Sequence, residues 1–137
     1  MKTALDSNIL SAFWSNEALA ARIEAELRNA RAQGAVVVSA PVYVELRAHP
    51  LVRPGFVDKF LAETAIVVEF DLDESVWRKA AEGFVAYAQR RRRSGGTSPK
   101  RLFTDFIIAA HALLQADRLF TLDPSRYQHD FPQLRLV

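Results

Sequence analysis

Between Leu102 and Leu114 the chain carries ten apolar residues, Leu102, Phe103, Phe106, Ile107, Ile108, Ala109, Ala110, Ala112, Leu113 and Leu114, and one carboxylate, Asp105. With Pro99 before it and Asp117 after it, this stretch predicts a helix too apolar on all sides to be anything but a core element. At about 100° per residue, Ala109, Ala112 and Ala116 share the face of Asp105, while Thr104, His111 and Gln115 form a separate polar stripe. Asp105 is therefore expected away from the solvated edge, and nothing cationic lies within a turn of it inside the helix. A charge among small apolar residues is costly unless it is paired or binds a metal. A helix-start carboxylate favoured by the dipole of the first turn is the plainer account.

The element that follows shifts the balance. Leu119, Phe120 and Thr121 predict a short buried strand that delivers a second carboxylate, Asp123, at its carboxyl end, with Pro124 directly after it. The carboxyl ends of strands are where open α/β sheets form their sites.

The 137 residues suit one domain, taken here as 1–137, and 50% apolar with 25% charged is ordinary for a globular protein. There is no cysteine, so a thiol nucleophile or a thiolate metal site is excluded, and any metal must be held by oxygen or imidazole. Residues 1–10 include Asp6 and no run apolar enough for a signal peptide or a membrane span, so a cytoplasmic protein with no membrane partner is expected. The net charge is only +2, yet Arg90, Arg91, Arg92, Arg93, Lys100 and Arg101 form a basic segment without an acid. Such a segment is either a solvated helix end or a contact for a phosphate backbone such as RNA.

Read in order, Lys2 to Leu5 predicts a strand ending at Asp6, and Asp6 or Ser7 can cap the helix through Trp14. An amphipathic helix from Asn16 to Gln33 places Leu19, Ile23, Leu27 and Ala30 on one face and stops at Gly34. Ala35 to Val38 is a β-branched run of the kind buried in parallel sheets, and Ser39 with Pro41 opens the helix that carries Glu45. A helix over 54–63, a strand at Ile66 to Val68 and a helix from Glu74 to about Arg92 follow, then a Gly- and Ser-containing loop to the central helix. Leu134 to Leu136 predicts a last strand at an edge. Trp14 and Trp77 are expected as core or dimer-contact residues, and His111 as a packed or hydrogen-bonded structural residue. This alternation predicts an α/β fold, a central parallel sheet flanked by helices in an α/β/α sandwich.

Asp6, Glu45, Asp105 and Asp123 can then face one crevice. Two carboxylates about 5 Å apart repel by roughly 3 kcal/mol at an effective dielectric near 20, so such a cluster needs compensation. Hydrolysis of a phosphodiester by hard divalent cations needs such an acid cluster.

The sequences Asp6-Ser7-Asn8-Ile9-Leu10, the Glu45 helix, Asp105-Phe106-Ile107-Ile108-Ala109-Ala110-His111-Ala112 and Leu119-Phe120-Thr121-Leu122-Asp123 resemble the PIN domain family. Within it the chain is similar to VapC-type ribonuclease toxins, and the resemblance spans the whole chain. It implies an endoribonuclease dependent on Mg²⁺ or Mn²⁺, with Asp6, Glu45, Asp105 and Asp123 at the family's acidic positions. Asp6 and Asp105 are then the direct metal ligands, Asp123 acts directly or through water, and Glu45 acts through water or orients the nucleophile. Asn8 and Thr121 fall on polar helper positions. The resemblance further implies an RNA substrate, a cognate antitoxin protein and a homodimer. The long Arg-rich segment before Asp105 departs from the family's short connection there. A catalytically silent PIN fold that only binds, and a phosphoryl-accepting receiver domain, are the competing readings. The receiver needs paired acids after the first strand and a Lys at a later strand end, and neither is present.

Overall fold

A computed structural model of the chain describes residues 1–96 and 103–137. Four short strands form one fully parallel sheet: β1 (Thr3–Leu5), β2 (Val36–Ser39), β3 (Val67–Glu69) and β4 (Arg118–Phe120), in the order β3-β2-β1-β4. Among the described residues seven helices flank it, α1 (Ser7–Ser15), α2 (Glu17–Gln33), α3 (Ala40–Arg47), α4 (Phe56–Thr64), α5 (Glu74–Arg93), α6 (Phe103–Gln115) and α7 (Ser125–Gln128). The parallel-sheet α/β architecture expected from the alternation is thus the one observed.

β1 and β2 are buried along their whole length, which explains their continuous apolar runs, since a central parallel strand is covered on both faces. The register pairs Ala4 with Val37 and Leu5 with Phe120, so the carboxyl ends of β1, β2 and β4 lie level. α2 buries Ile23 and Ala30. Asn16 caps it by accepting the Ala18 N–H at 3.1 Å, and it ends at Gly34 with φ +154°, where a side chain would run into the backbone of Met1.

α6 is the most buried helix, with Phe106 to Ala112 all inside, and it packs against α5, α3 and β4. Its polar stripe does not face solvent. His111 is 1% exposed and its Nε2 lies 2.7 Å from Glu69 Oε1, while Gln115 accepts the Asp73 N–H. Lys2 donates to the other oxygen of Glu69 at 2.7 Å, completing a polar chain beside the sheet.

The structure corrects one sequence expectation, narrows another and adds a helix. Leu134 to Leu136 does lie at the β4 edge, but it makes only an isolated parallel bridge, Leu119 with Leu136, and is too short for a strand. Trp77 is half exposed, which rules out the core role of its two expected roles, whereas Trp14 packs edge-on against Phe56, Phe60 and His49. The four-residue helix α7 has no counterpart among the elements expected from the sequence.

Candidate active site

Asp6 follows β1 at the N-cap position of α1, in extended backbone, yet its side chain makes no capping bond. It turns inward instead and is 2% exposed. Its Oδ2 accepts hydrogen bonds from the Tyr127 hydroxyl at 2.7 Å and the Thr121 hydroxyl at 2.9 Å. These donors offset the desolvation of a buried carboxylate. The second oxygen, Oδ1, has the Ser7 hydroxyl at 3.5 Å.

Thr121 links this carboxylate to the loop after β4. Its oxygen accepts from Asn8 Nδ2 at 3.3 Å and from the Asp123 N–H at 3.1 Å, and Asn8 Oδ1 accepts the Leu122 N–H at 3.2 Å. The start of α1 and the segment carrying Asp123 are thereby tied together. The structure brings Asn8 and Thr121 into the same network as Asp6.

Asp105 stands in the first turn of α6 with its side chain 16% exposed, facing α7. Arg126 Nη1 lies 3.5 Å from its Oδ1, and Arg126 Nε lies 3.4 Å from Asp123 Oδ2. Asp123 Oδ1 also accepts from the Ser125 hydroxyl at 2.8 Å. One guanidinium thus bridges the two carboxylates. Glu45, on the exposed side of α3, closes the group. Its carboxyl is pushed above the ordinary range by burial, and the negative charges of Asp6 and Asp105 add to this against the Ser7 hydroxyl and Arg126. All four predicted acids therefore lie within electrostatic reach of Arg126, beyond the carboxyl ends of β1, β2 and β4.

Among the described residues, no three Asp, Glu or His side chains stand close enough together to hold a metal ion. What the acids surround is Arg126. The donor set is nonetheless all hard oxygen, of the kind that suits Mg²⁺ or Mn²⁺, and two of its carboxylates already share a cation. Beside it, Ser39 at the end of β2 is level with Asp6 in the register, and its hydroxyl is buried without a hydrogen-bond partner. A buried hydroxyl without a protein partner still has a donor and acceptor to offer. The chemistry of the residues fits a hard divalent cation.

Sequence reasoning missed Arg126 and Tyr127. The available signal was the run Asp123-Pro124-Ser125-Arg126, in which a Pro-initiated turn sets an acid and an Arg three residues apart. The basic segment divides. Arg90 is ion-paired with Asp130, whose side chain is 4% exposed, while its own remains 39% exposed. Arg91 is partly buried, Arg92 and Arg93 are exposed at the end of α5, and Lys100 and Arg101 lie outside the described residues.

A family model for the PIN domain matches residues 3–132. The fold is similar to that of VapBC2 from Rickettsia felis, solved bound to a DNA fragment from its promoter, with TM-score 0.62, 18% identity, and 100% of this chain and 98% of that one covered. It is similar as well to VapBC-1 from nontypeable Haemophilus influenzae, with TM-score 0.62, 20% identity, and 100% and 97% covered. FitAcB from Neisseria gonorrhoeae matches with TM-score 0.55, 22% identity, and 98% and 95% covered. No curated protein matches the chain in sequence.

Proposed function

The chain belongs to the PIN domain family, whose general activity is nucleolytic, and from that premise we propose that it is an endoribonuclease dependent on Mg²⁺ or Mn²⁺. The observation that supports this reading is that Asp6, Glu45, Asp105 and Asp123 all lie within electrostatic reach of one cation, Arg126, which bridges two of them. Asp6 and Asp105 would hold the metal, Asp123 directly or through water. When bound, such an ion supplies an activated water and neutralises charge developing on the phosphate.

The chain's own residues prepare the site. Tyr127 and Thr121 fix Asp6 through Oδ2, so the side chain needs no reorganisation when its other oxygen is engaged. Thr121 and Asn8 hold the segment that carries Asp123. Glu45, at the exposed edge, is placed to accept a hydrogen bond from a water and orient it for attack.

The fold similarity to VapBC proteins supports the narrower reading of this ribonuclease as the toxin of a toxin-antitoxin pair, acting as a homodimer and neutralised by a cognate antitoxin. The test is purified protein, free of any antitoxin, incubated with total RNA and Mn²⁺, with new 5′ ends mapped with and without chelator. Cleavage should require the metal, and Asp6→Asn should lose about 100-fold or more of it, several kcal/mol of transition-state stabilisation, with an unchanged circular dichroism spectrum. Chelator-insensitive cleavage, or wild-type activity in folded Asp6→Asn, rules out the metal-site assignment. No cleavage of any RNA favours a silent binding module.

A further inference from the structure

Arg126 is held differently from its neighbours in the crevice. Tyr127, next to it on α7, is buried and locked onto Asp6, and Ser125 before it bonds Asp123, so the backbone of Arg126 is anchored on both sides. Its guanidinium is half exposed and touches Asp105 and Asp123 at 3.5 and 3.4 Å. These contacts are looser than the 2.7 to 2.9 Å typical of a charge-assisted fork on one carboxylate. The group is therefore a counterion shared between two acids, with solvent open to it. It also stands where a divalent cation serving the same two acids would have to be. A guanidinium and a divalent ion a few ångströms apart repel strongly, so one excludes the other.

A polyanion entering this crevice meets four carboxylates and needs a cation on its path. A planar guanidinium matches a phosphate by paired N–H donors better than an ammonium does. We propose that Arg126 is the internal counterion that a divalent cation displaces from Asp105 and Asp123, and that the displaced guanidinium then binds an RNA phosphate as a positioning residue. This rests on the metal-dependent reading above.

The two halves give Arg126→Gln effects of opposite sign. Isothermal titration of the full chain with Mn²⁺ should show Arg126→Gln binding the ion about tenfold more tightly than wild type, since one opposing charge is gone. The KM for RNA at saturating Mn²⁺ should rise several-fold. Arg28→Gln, which removes the same charge from the exposed face of α2, should change neither. In wild-type protein the Arg126 Nε–H resonance should move saturably on Mg²⁺ addition, along the curve that calorimetry with Mg²⁺ gives, a readout that stands even where the variant folds poorly. A static resonance, or Mn²⁺ affinity unchanged or weaker in Arg126→Gln while wild type binds the ion, overturns the counterion and leaves the metal site standing. Tighter Mn²⁺ binding with an unchanged KM overturns the phosphate role. Absence of saturable Mn²⁺ binding in every protein overturns this inference and the metal-dependent reading together.

Discussion

The phenol of Tyr127 donates a 2.7 Å hydrogen bond to Oδ2 of Asp6, and both side chains are sealed from solvent. Burial, reinforced by the charge of Asp6, pushes the Tyr127 pKa far upward, so the phenol stays a donor wherever the protein is folded. Tyr127→Phe leaves the ring in place and removes that donor from a buried carboxylate. A hydrogen bond to a charged group contributes about 1.5–3 kcal/mol, and urea denaturation should show a loss of that size. In an Asp6→Asn background the same substitution should cost clearly less, because the charge is gone. Equal costs in the two backgrounds would mean that Tyr127 contributes packing alone.

This contact marks where the sequence stops being legible. α6 and the buried strands follow from local pattern: a nearly all-apolar run, and valines in succession, leave few places other than a core. Asp105 stands out because its apolar neighbours make it anomalous, and Asp6 and Asp123 because each ends a short apolar strand. Tyr127 carries no such signal, and Arg126 only the weak one of an acid and an Arg three residues apart after Pro124. A four-residue helix shows no periodicity, and Tyr127 meets a partner 121 positions away. His111 looks like part of a polar stripe because its partner, Glu69, arrives from a different strand. The edge bridge at Leu136 is overestimated for the opposite reason, since a short apolar alternation after Pro132 promises a strand that the sheet edge does not extend.

The partly buried chain Lys2, Glu69 and His111 predicts how stability varies with pH. Burial lowers the His111 pKa below its ordinary 6.5, and the opposing pull of Glu69 does not cancel it. For Glu69 burial alone would raise the value, but hydrogen bonds from Lys2 and His111 take it below the ordinary 4.5. Both native values lie under those of the unfolded chain, so the unfolded chain binds more protons as pH falls. Stability should be level above about 6.5, decline as His111 begins to charge in the unfolded state, and decline again below about 4.5. His111→Gln should remove the first decline in denaturation midpoints measured from about pH 8 to about pH 4. A first decline that survives the substitution assigns it to other groups.

Glu45 is the acid whose removal should help the metal-free protein. Its environment opposes the charged form, through burial and then through Asp6 and Asp105. At about pH 7–8 in chelator, where the carboxylate is charged, Glu45→Gln should therefore raise the melting temperature. The gain should be a few tenths to about 1 kcal/mol, since the side chain is only partly buried and water screens the repulsion. Asp105→Asn should gain less or lose, because Arg126 already compensates that charge. Excess Mn²⁺ should stabilise wild type more than either variant, in proportion to affinity. A lower melting temperature for Glu45→Gln in chelator contradicts the repulsive cluster.

The arginines at the end of α5 should separate by partner rather than by position. Arg90 is ion-paired with Asp130, whose side chain is almost fully buried, and removing one charged partner weakens what offsets the desolvation of that carboxylate. Arg90→Gln should therefore destabilise the fold by about 1–3 kcal/mol. Arg92 and Arg93 are exposed, and surface changes of this kind stay within about 0.5 kcal/mol. If they face RNA, the double substitution Arg92→Gln and Arg93→Gln should weaken binding and flatten its dependence on salt. Every phosphate that is no longer neutralised takes about 0.7 off the slope of log K against log salt for a single strand. The binding assay uses labelled RNA in an Asp6→Asn background, so that cleavage does not interfere, and thermal melts are run alongside. A steep slope retained by the double variant would make this end of α5 a solvated helix terminus, and an unchanged melt for Arg90→Gln would remove the ion pair with Asp130 from the account of stability.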